Sequence, residues 1–223
     1  MTRRDTHHQQ VQAVLWDLDG TLVQSEQLHL DLEREILAGY GVEVSEAAYR
    51  AFVGTSARAA FSQVLGPAGR LDVLEEALAT KRRLAPDRII QRSLPTRGVE
   101  DVLRDVPMRT HRFALVTSAE RYVAEGLLER FGWTWRFEIL ITANDIVRPK
   151  PDPEPYRLAC ERLGLPPAAT LAVEDAPNGI RSARAAGCRV AALPGTFEAA
   201  QLAEAHFTLS TVGAVIGLLG VLG

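Results

Sequence analysis

Asp17 and Asp19 stand two residues apart in Asp17-Leu18-Asp19-Gly20-Thr21, directly after a short apolar run. Thr117 and Ser118 follow a second such run. Lys150 lies beyond a third, within Arg148-Pro149-Lys150-Pro151, and Glu174-Asp175 follow a fourth. Together these types are what phosphoryl transfer from an ester requires. One carboxylate can attack phosphorus and form an aspartyl-phosphate. A second can protonate the leaving oxygen and then deprotonate water. Carboxylates and a phosphate dianion repel one another, so a hard cation must sit among them, and Mg²⁺ suits oxygen ligands. A lysine adds a compact positive charge, and hydroxyls with helix-start N–H groups add neutral donors.

The elements that must position these groups are legible as alternation. Val11 to Trp16, Phe113 to Val116, Glu138 to Ile141, Thr170 to Val173 and Arg189 to Leu193 are short, nearly continuous apolar runs. Such runs predict strands covered on both faces, hence parallel. Helical patterns over Glu120 to Phe131, Pro153 to Leu163 and Pro177 to Ala186 lie between them. The last starts on Pro177 and stops before Gly187, a normal beginning and end. The fold class predicted is α/β, a doubly wound parallel sheet, in which ligands sit beyond the carboxyl ends of the strands. Residues 24–95 break the rhythm. Glu26 to Ala38, Glu46 to Phe52, Ala57 to Leu65 and Leu71 to Leu84 read as helices, with no strand among them. They predict an inserted helical cap on a core made of residues 1–23 and 96–223.

Each residue also has a plainer reading. Asp19-Gly20 is a common turn dipeptide, and Asp17 at a strand end is what raises it. Thr117-Ser118 can cap the helix that follows. Glu174-Asp175 can do the same for the helix near Pro177. Lys150 can be a solvated loop charge. Yet only Lys81 and Lys150 are lysines, against 23 arginines (25 basic residues minus 2), so a lysine at this place suggests a wanted point charge. The two asparagines, Asn144 and Asn178, sit beside motifs. Asn178 reads equally as a bond to the loops around Asp175 or as a helix start. His29 and Arg58 are candidates for substrate contact, with a surface role as the alternative. Trp133 and Trp135 are expected to pack beside the sheet.

Composition bounds the partners. The chain has 223 residues, a 47% hydrophobic fraction and a net charge of −3. No basic patch for nucleic acid is evident. Residues 1–10 are polar and do not read as a secretory signal, and His7 and His8 read as tail residues. Val212 to Leu222 is too short to span a bilayer and reads as a docked terminal helix. Cys160 and Cys188 lack metal-ligand spacing and suit a reducing compartment. The expectation is a cytoplasmic protein without membrane or nucleic-acid partners, monomeric by default.

The chain resembles the haloacid dehalogenase superfamily, in its phosphatase branch with a small helical cap. Asp17-Leu18-Asp19-Gly20-Thr21-Leu22 is similar to the first motif, Leu115-Val116-Thr117-Ser118 to the second and Lys150 to the third. Val173 to Gly179 is similar to the fourth. The resemblance implies that Asp17 is the nucleophile and a Mg²⁺ ligand. It makes Asp19 the general acid/base, with its carbonyl on the metal and Thr21 available to orient the carboxyl. It puts Thr117, Ser118 and Lys150 on the phosphoryl group and completes the metal site with Asp175 and Glu174. The implied function is hydrolysis of a small phosphorylated metabolite. A β-phosphoglucomutase-like mutase, a dehalogenase and a non-enzymatic binding module are the alternatives. Asp19 argues against the dehalogenase, whose branch lacks an acid there, and the full polar set argues against the binding module. Mutases of this family carry an arginine where the chain has Ala57; Arg58 is one position, about 100° of helix, away. Gln24 and Trp16 also depart from the usual pattern, outside the chemical core.

Overall fold

The computed structural model describes residues 10–222; His7 and His8 lie outside them. β1 (Ala13–Trp16) is fully buried along its length. β2 (Val23–Gln24) leads into α1 (Glu26–Gly39), α2 (Glu46–Tyr49), α3 (Ala57–Leu65) and α4 (Leu74–Ala85). A π-helical turn over Pro86–Ile90 then reaches β3 (Leu94–Pro95). α5 (Val99–Asp105), β4 (Arg112–Val116), α6 (Arg121–Phe131), β5 (Ile139–Ile141) and α7 (Glu154–Leu163) follow. The chain closes with β6 (Thr170–Glu174), α8 (Pro177–Ala186), β7 (Arg189–Ala192), β8 (Phe207–Thr208) and α9 (Ala214–Leu222).

Six strands form one parallel sheet in the order β5-β4-β1-β6-β7-β8. β1 is central, with Trp16 level with Leu115 on one side and Val173 on the other. Side chains alternate between the faces, as the two-residue period of a strand requires. Val14, Trp16, Phe113 and Leu115 join the cluster that packs α5, α6 and α9. Ala13, Leu15, Ala114 and Val116 join the cluster that packs α7 and α8. Both faces are covered, and the doubly wound expectation holds.

The helical insert also holds, with one correction. The stretch expected to contain no strand begins and ends in one: Val23 pairs with Pro95 and Gln24 with Leu94, antiparallel. Two residues per strand are too few to show a periodic pattern, and Pro95 argues against a strand. This ribbon is the stem on which the insert stands. The insert's other anchor is α6. Gly126 leaves room for Ile90, whose side chain lies 2.7 Å from where a Cβ would be, and Arg130 donates to the Ile90 and Ser93 carbonyls.

The paired tryptophans part company. Trp133 is buried and stacked on Phe131, but Trp135 is 56% exposed on the 3₁₀ turn Thr134–Arg136. That turn has another task, which is to bury Arg136. Its guanidinium lies 3.3 Å from the Phe113 ring centroid and donates to the Leu103 and Val106 carbonyls, the open end of α5. Burial pushes its pKa down to about 10. Replacing Arg136 with Ala strands two carbonyls beside a cavity. The expected cost is about 2–4 kcal/mol, read from the urea midpoint.

Candidate active site

The strand ends of β1, β4 and β6, with the loop beyond β5, meet at one edge. They bring Asp17, Asp19, Thr117, Ser118, Lys150, Glu174 and Asp175 together. Lys150 is 1% exposed and lies at the centre. Its ammonium donates to Asp17 Oδ1 and Glu174 Oε1, each at 2.6 Å, and to the Val116 carbonyl at 3.0 Å. The lysine expected to be a loop charge or a phosphate ligand is thus a buried clamp between two carboxylates. Glu174, the last residue of β6, is engaged at both oxygens. Tyr156 also donates to Oε1, at 2.7 Å, and the Asp175 N–H donates to Oε2. Burial lowers the Lys150 pKa, but Asp17 and Glu174 outweigh it and hold the ammonium charged.

Asp19 sits in a tight turn. The N–H groups of Thr21, Leu22 and Val23 all donate to the Leu18 carbonyl, and Gly20 donates to Val23. Gly20 has φ of 83°, and a Cβ there would lie 1.9 Å from Asp175 Oδ2, so no other residue fits. The Asp19 carboxyl accepts from Ser25 Oγ and lies 3.1 Å from His29 Nε2. Burial raises its pKa, but His29, Ser25 and Lys81 together bring it below the usual range. Thr21 does not orient this carboxyl. Its buried hydroxyl has no partner among the described residues, and Ser25 and His29 take the role from the insert.

Three buried carboxylates, Asp17, Glu174 and Asp175, offer oxygens within 4.8 Å of one another. One ammonium against three carboxylates leaves two negative charges over. Burial raises Asp17, with Glu174 and Asp175 adding to it and Lys150 opposing. Burial and Glu174 push Asp175 up to about 8. Asp175 Oδ2 is buried and makes no hydrogen bond of good geometry, with the Thr196 hydroxyl the nearby group that stabilises the carboxylate. Three carboxylates against one ammonium, with burial and mutual repulsion opposing their ionisation, fit a hard divalent cation.

Thr117 and Ser118 face the same cavity as Asp17 and Asp19. The Thr117 hydroxyl accepts from the Ala119 N–H, as a cap would. The Ser118 hydroxyl instead donates to the Gly54 carbonyl in the insert. Asn178 also reaches across. Its amide donates to the Ala51 and Val53 carbonyls rather than to the Asp175 loop, and its oxygen accepts from Arg181. Asn144 accepts from the Arg121 N–H. Arg82 of α4 pairs with Glu120 at the rim. Arg58 is turned away, exposed and paired with Glu75. Glu26, Glu33, Tyr49 and Lys81 line the cavity and were not singled out in the sequence. The scarcity of lysine that marked Lys150 applies equally to Lys81.

These features have counterparts in known proteins. The haloacid dehalogenase-like hydrolase family matches residues 14–193. Validoxylamine A 7'-phosphate phosphatase of Streptomyces hygroscopicus subsp. limoneus is 34% identical over 197 residues, 87% of this chain and 91% of that protein. N-acetylmuramic acid 6-phosphate phosphatase of Pseudomonas aeruginosa is 30% identical over 188 residues, 82% of this chain and 81% of that one. The crystal structure of CbbY from Rhodobacter sphaeroides in complex with phosphate superposes with a TM-score of 0.77 at 26% identity. It covers 92% of this chain and 96% of that one. The chain belongs to the haloacid dehalogenase-like hydrolases, as an enzyme of their phosphatase branch. Among the described residues no helix is long and apolar enough to cross a membrane.

The rear wall of the site admits no side chain. A Cβ on Gly179 would lie 1.9 Å from Glu174 Oε1. Gly179→Ala is expected to displace Glu174 and cost about 1–3 kcal/mol in a thermal melt. Gly195→Ala, with nothing within 4 Å of its Cβ, is the control.

Proposed function

We propose that the chain is a Mg²⁺-dependent phosphomonoester hydrolase that works through an aspartyl-phosphate on Asp17. The observation that carries this reading is the pair of separately held carboxyls in one cavity. Asp17 is held by Lys150, and Asp19 by Ser25 and His29. An attacking group and a proton-transfer group need such independent anchors.

The Asp17 carboxylate attacks phosphorus as the bond to the leaving oxygen breaks. A substrate bound as its monoanion brings one proton, which Asp19 takes up and passes to that oxygen. As a carboxylate, Asp19 then takes a proton from water, which attacks the phosphorus of the aspartyl-phosphate and releases Asp17. Lys150 fixes the Asp17 carboxylate and balances charge, while Thr117 and Ser118 face the transferring group. Asp17, Asp175 and the Asp19 carbonyl would hold the Mg²⁺, with Glu174 behind them. The ion supplies charge stabilisation to the phosphoryl oxygens.

Residues 24–95 act as a cap. The cavity above Asp17 measures about 50 Å³ and adjoins a second of about 360 Å³ that shares His29, Ala57, Lys81 and Ser118 with it, and the cap lifts to admit the substrate across both. The bonds from Ser118 and Asn178 and the Arg82–Glu120 pair part when it does. The names of the two curated relatives support a phosphorylated, sugar-like metabolite as substrate. The mutase reading is the less favoured one: Ala57 lines the cavity above Asp17, and Arg58 lines the adjoining one with its guanidinium paired to Glu75. Two free buried thiols 3.9 Å apart support a reducing, cytoplasmic compartment. A net charge of −3 without a basic patch supports a protein with no nucleic-acid partner, and a monomer is the default reading.

With Mg²⁺, p-nitrophenyl phosphate should be hydrolysed, and EDTA should stop the reaction until Mg²⁺ is restored. Asp17→Asn should lose about a thousandfold or more in kcat. Full turnover by that variant, or in EDTA, overturns the proposal. Asp19→Asn should lose about a hundredfold or more and accumulate phosphoenzyme, seen by mass spectrometry as one added phosphoryl group. Unchanged turnover removes Asp19 from its role.

A further inference from the structure

A larger cavity adjoins the catalytic one across the start of α1. It measures about 1020 Å³, and the stem of the insert, the start of α1 and two loops of the sheet domain form its walls. Glu26, Leu30 and Val53 line both spaces and so form the partition. None of the seven residues at the strand ends lines the larger one. Two of its cations are uncommitted. Arg92 and Arg97 flank β3, are exposed, and make no ion pair or side-chain hydrogen bond among the described residues. The third, Arg50, is held by Glu46. Glu26 is the one carboxylate among the lining residues, and it stands at the end shared with the catalytic cavity. Between the two free arginines, Leu94 is 60% exposed, and the Thr96 hydroxyl has no hydrogen-bond partner among the described residues. Residues 210–213 lead into α9 and complete the wall, and a helix start favours negative charge.

We propose that this cavity is a second binding site, distinct from the catalytic one, for a small organic anion with an apolar body. Its acidic group bonds Arg92 and Arg97, and its body lies on Leu94. Guanidinium groups form charge-assisted, fork-like bonds to carboxylate, phosphate or sulfonate oxygens. A concave wall that is largely apolar, with a few placed polar groups, is what a small-molecule site requires. The two features select one kind of occupant. An inorganic ion pairs the arginines but leaves Leu94 wet, and a neutral apolar molecule covers Leu94 but leaves the arginines unpaired. The occupant touches both lobes, since Leu94 belongs to the stem and residues 193–196 to the sheet domain.

The test titrates the full chain with 8-anilinonaphthalene-1-sulfonate, a fluorescent sulfonate on an apolar ring system. It should bind saturably, with enhanced and blue-shifted emission. N-phenyl-1-naphthylamine, the same rings without the sulfonate, should bind about tenfold more weakly or worse. Arg92→Gln combined with Arg97→Gln should raise the Kd of the sulfonate by about tenfold or more, and Leu94→Ser by about threefold or more, in proteins whose melting curves are unchanged. Lys81→Met, which removes a cation from the wall of the catalytic cavity, should leave that Kd as it is. The absence of saturable binding, equal affinity for the sulfonate and the neutral probe, or full affinity in the arginine variant overturns the inference. So does a loss on Lys81→Met as large as that of the arginine variant, which puts the probe in the catalytic cavity. The comparison of the two probes needs no variant and decides the matter even where a substitution prevents folding.

Discussion

A single buried ammonium organises the catalytic edge. Lys150 bonds the end of β1 through Asp17, the end of β4 through the Val116 carbonyl and the end of β6 through Glu174. Three neighbouring strands are thereby tied at their carboxyl ends, where the sheet's own ladder stops. Buried ion pairs are sustained only where further bonds satisfy the remaining groups. Here Tyr156 and the Asp175 N–H complete Glu174. Asp175 keeps one buried oxygen without a well-formed hydrogen bond, beside two further carboxylates in a cluster able to hold a metal ion.

The second carboxyl is governed from the other lobe. Ser25 and His29, which steady Asp19, belong to the segment that leaves β2 and enters the cap. The cap therefore does more than cover the cavity. Its leading end supplies the hydrogen bonds of Asp19, and its walls supply Glu26, Glu33 and Lys81. The carboxyls at the strand ends and the side chains of the insert thus face one another across one space.

Much of this was legible in the sequence. Nearly continuous apolar runs gave the five longer strands, and α3 and α8 were bounded at the observed residues. The seven residues expected at the site were singled out because they stand at or beyond strand ends in a parallel sheet, and the structure brings them to one edge. What escaped notice depends on contacts distant in the chain. Ser118, Asn178 and Arg82 bond across 64, 125 and 38 residues to join the lobes, and no local pattern encodes such reach. β2, β3 and β8 have two residues each, fewer than a period needs. Trp135 was misread because its neighbour Arg136 carries the burial of that turn, against the ordinary preference of the two residue types.

The apolar cluster on one face of the sheet does not stop at the insert. Val14 and Trp16 of β1, Leu127 of α6, Ile89 of the π-helical turn and Leu37, Phe61 and Leu78 of the cap helices belong to one contiguous set. Two lobes that share a core share a melting transition, because separating them wets the surface that stabilises both. The insert is therefore part of a single cooperative unit, and a chain cut down to the sheet and its own helices would expose part of its interior to water.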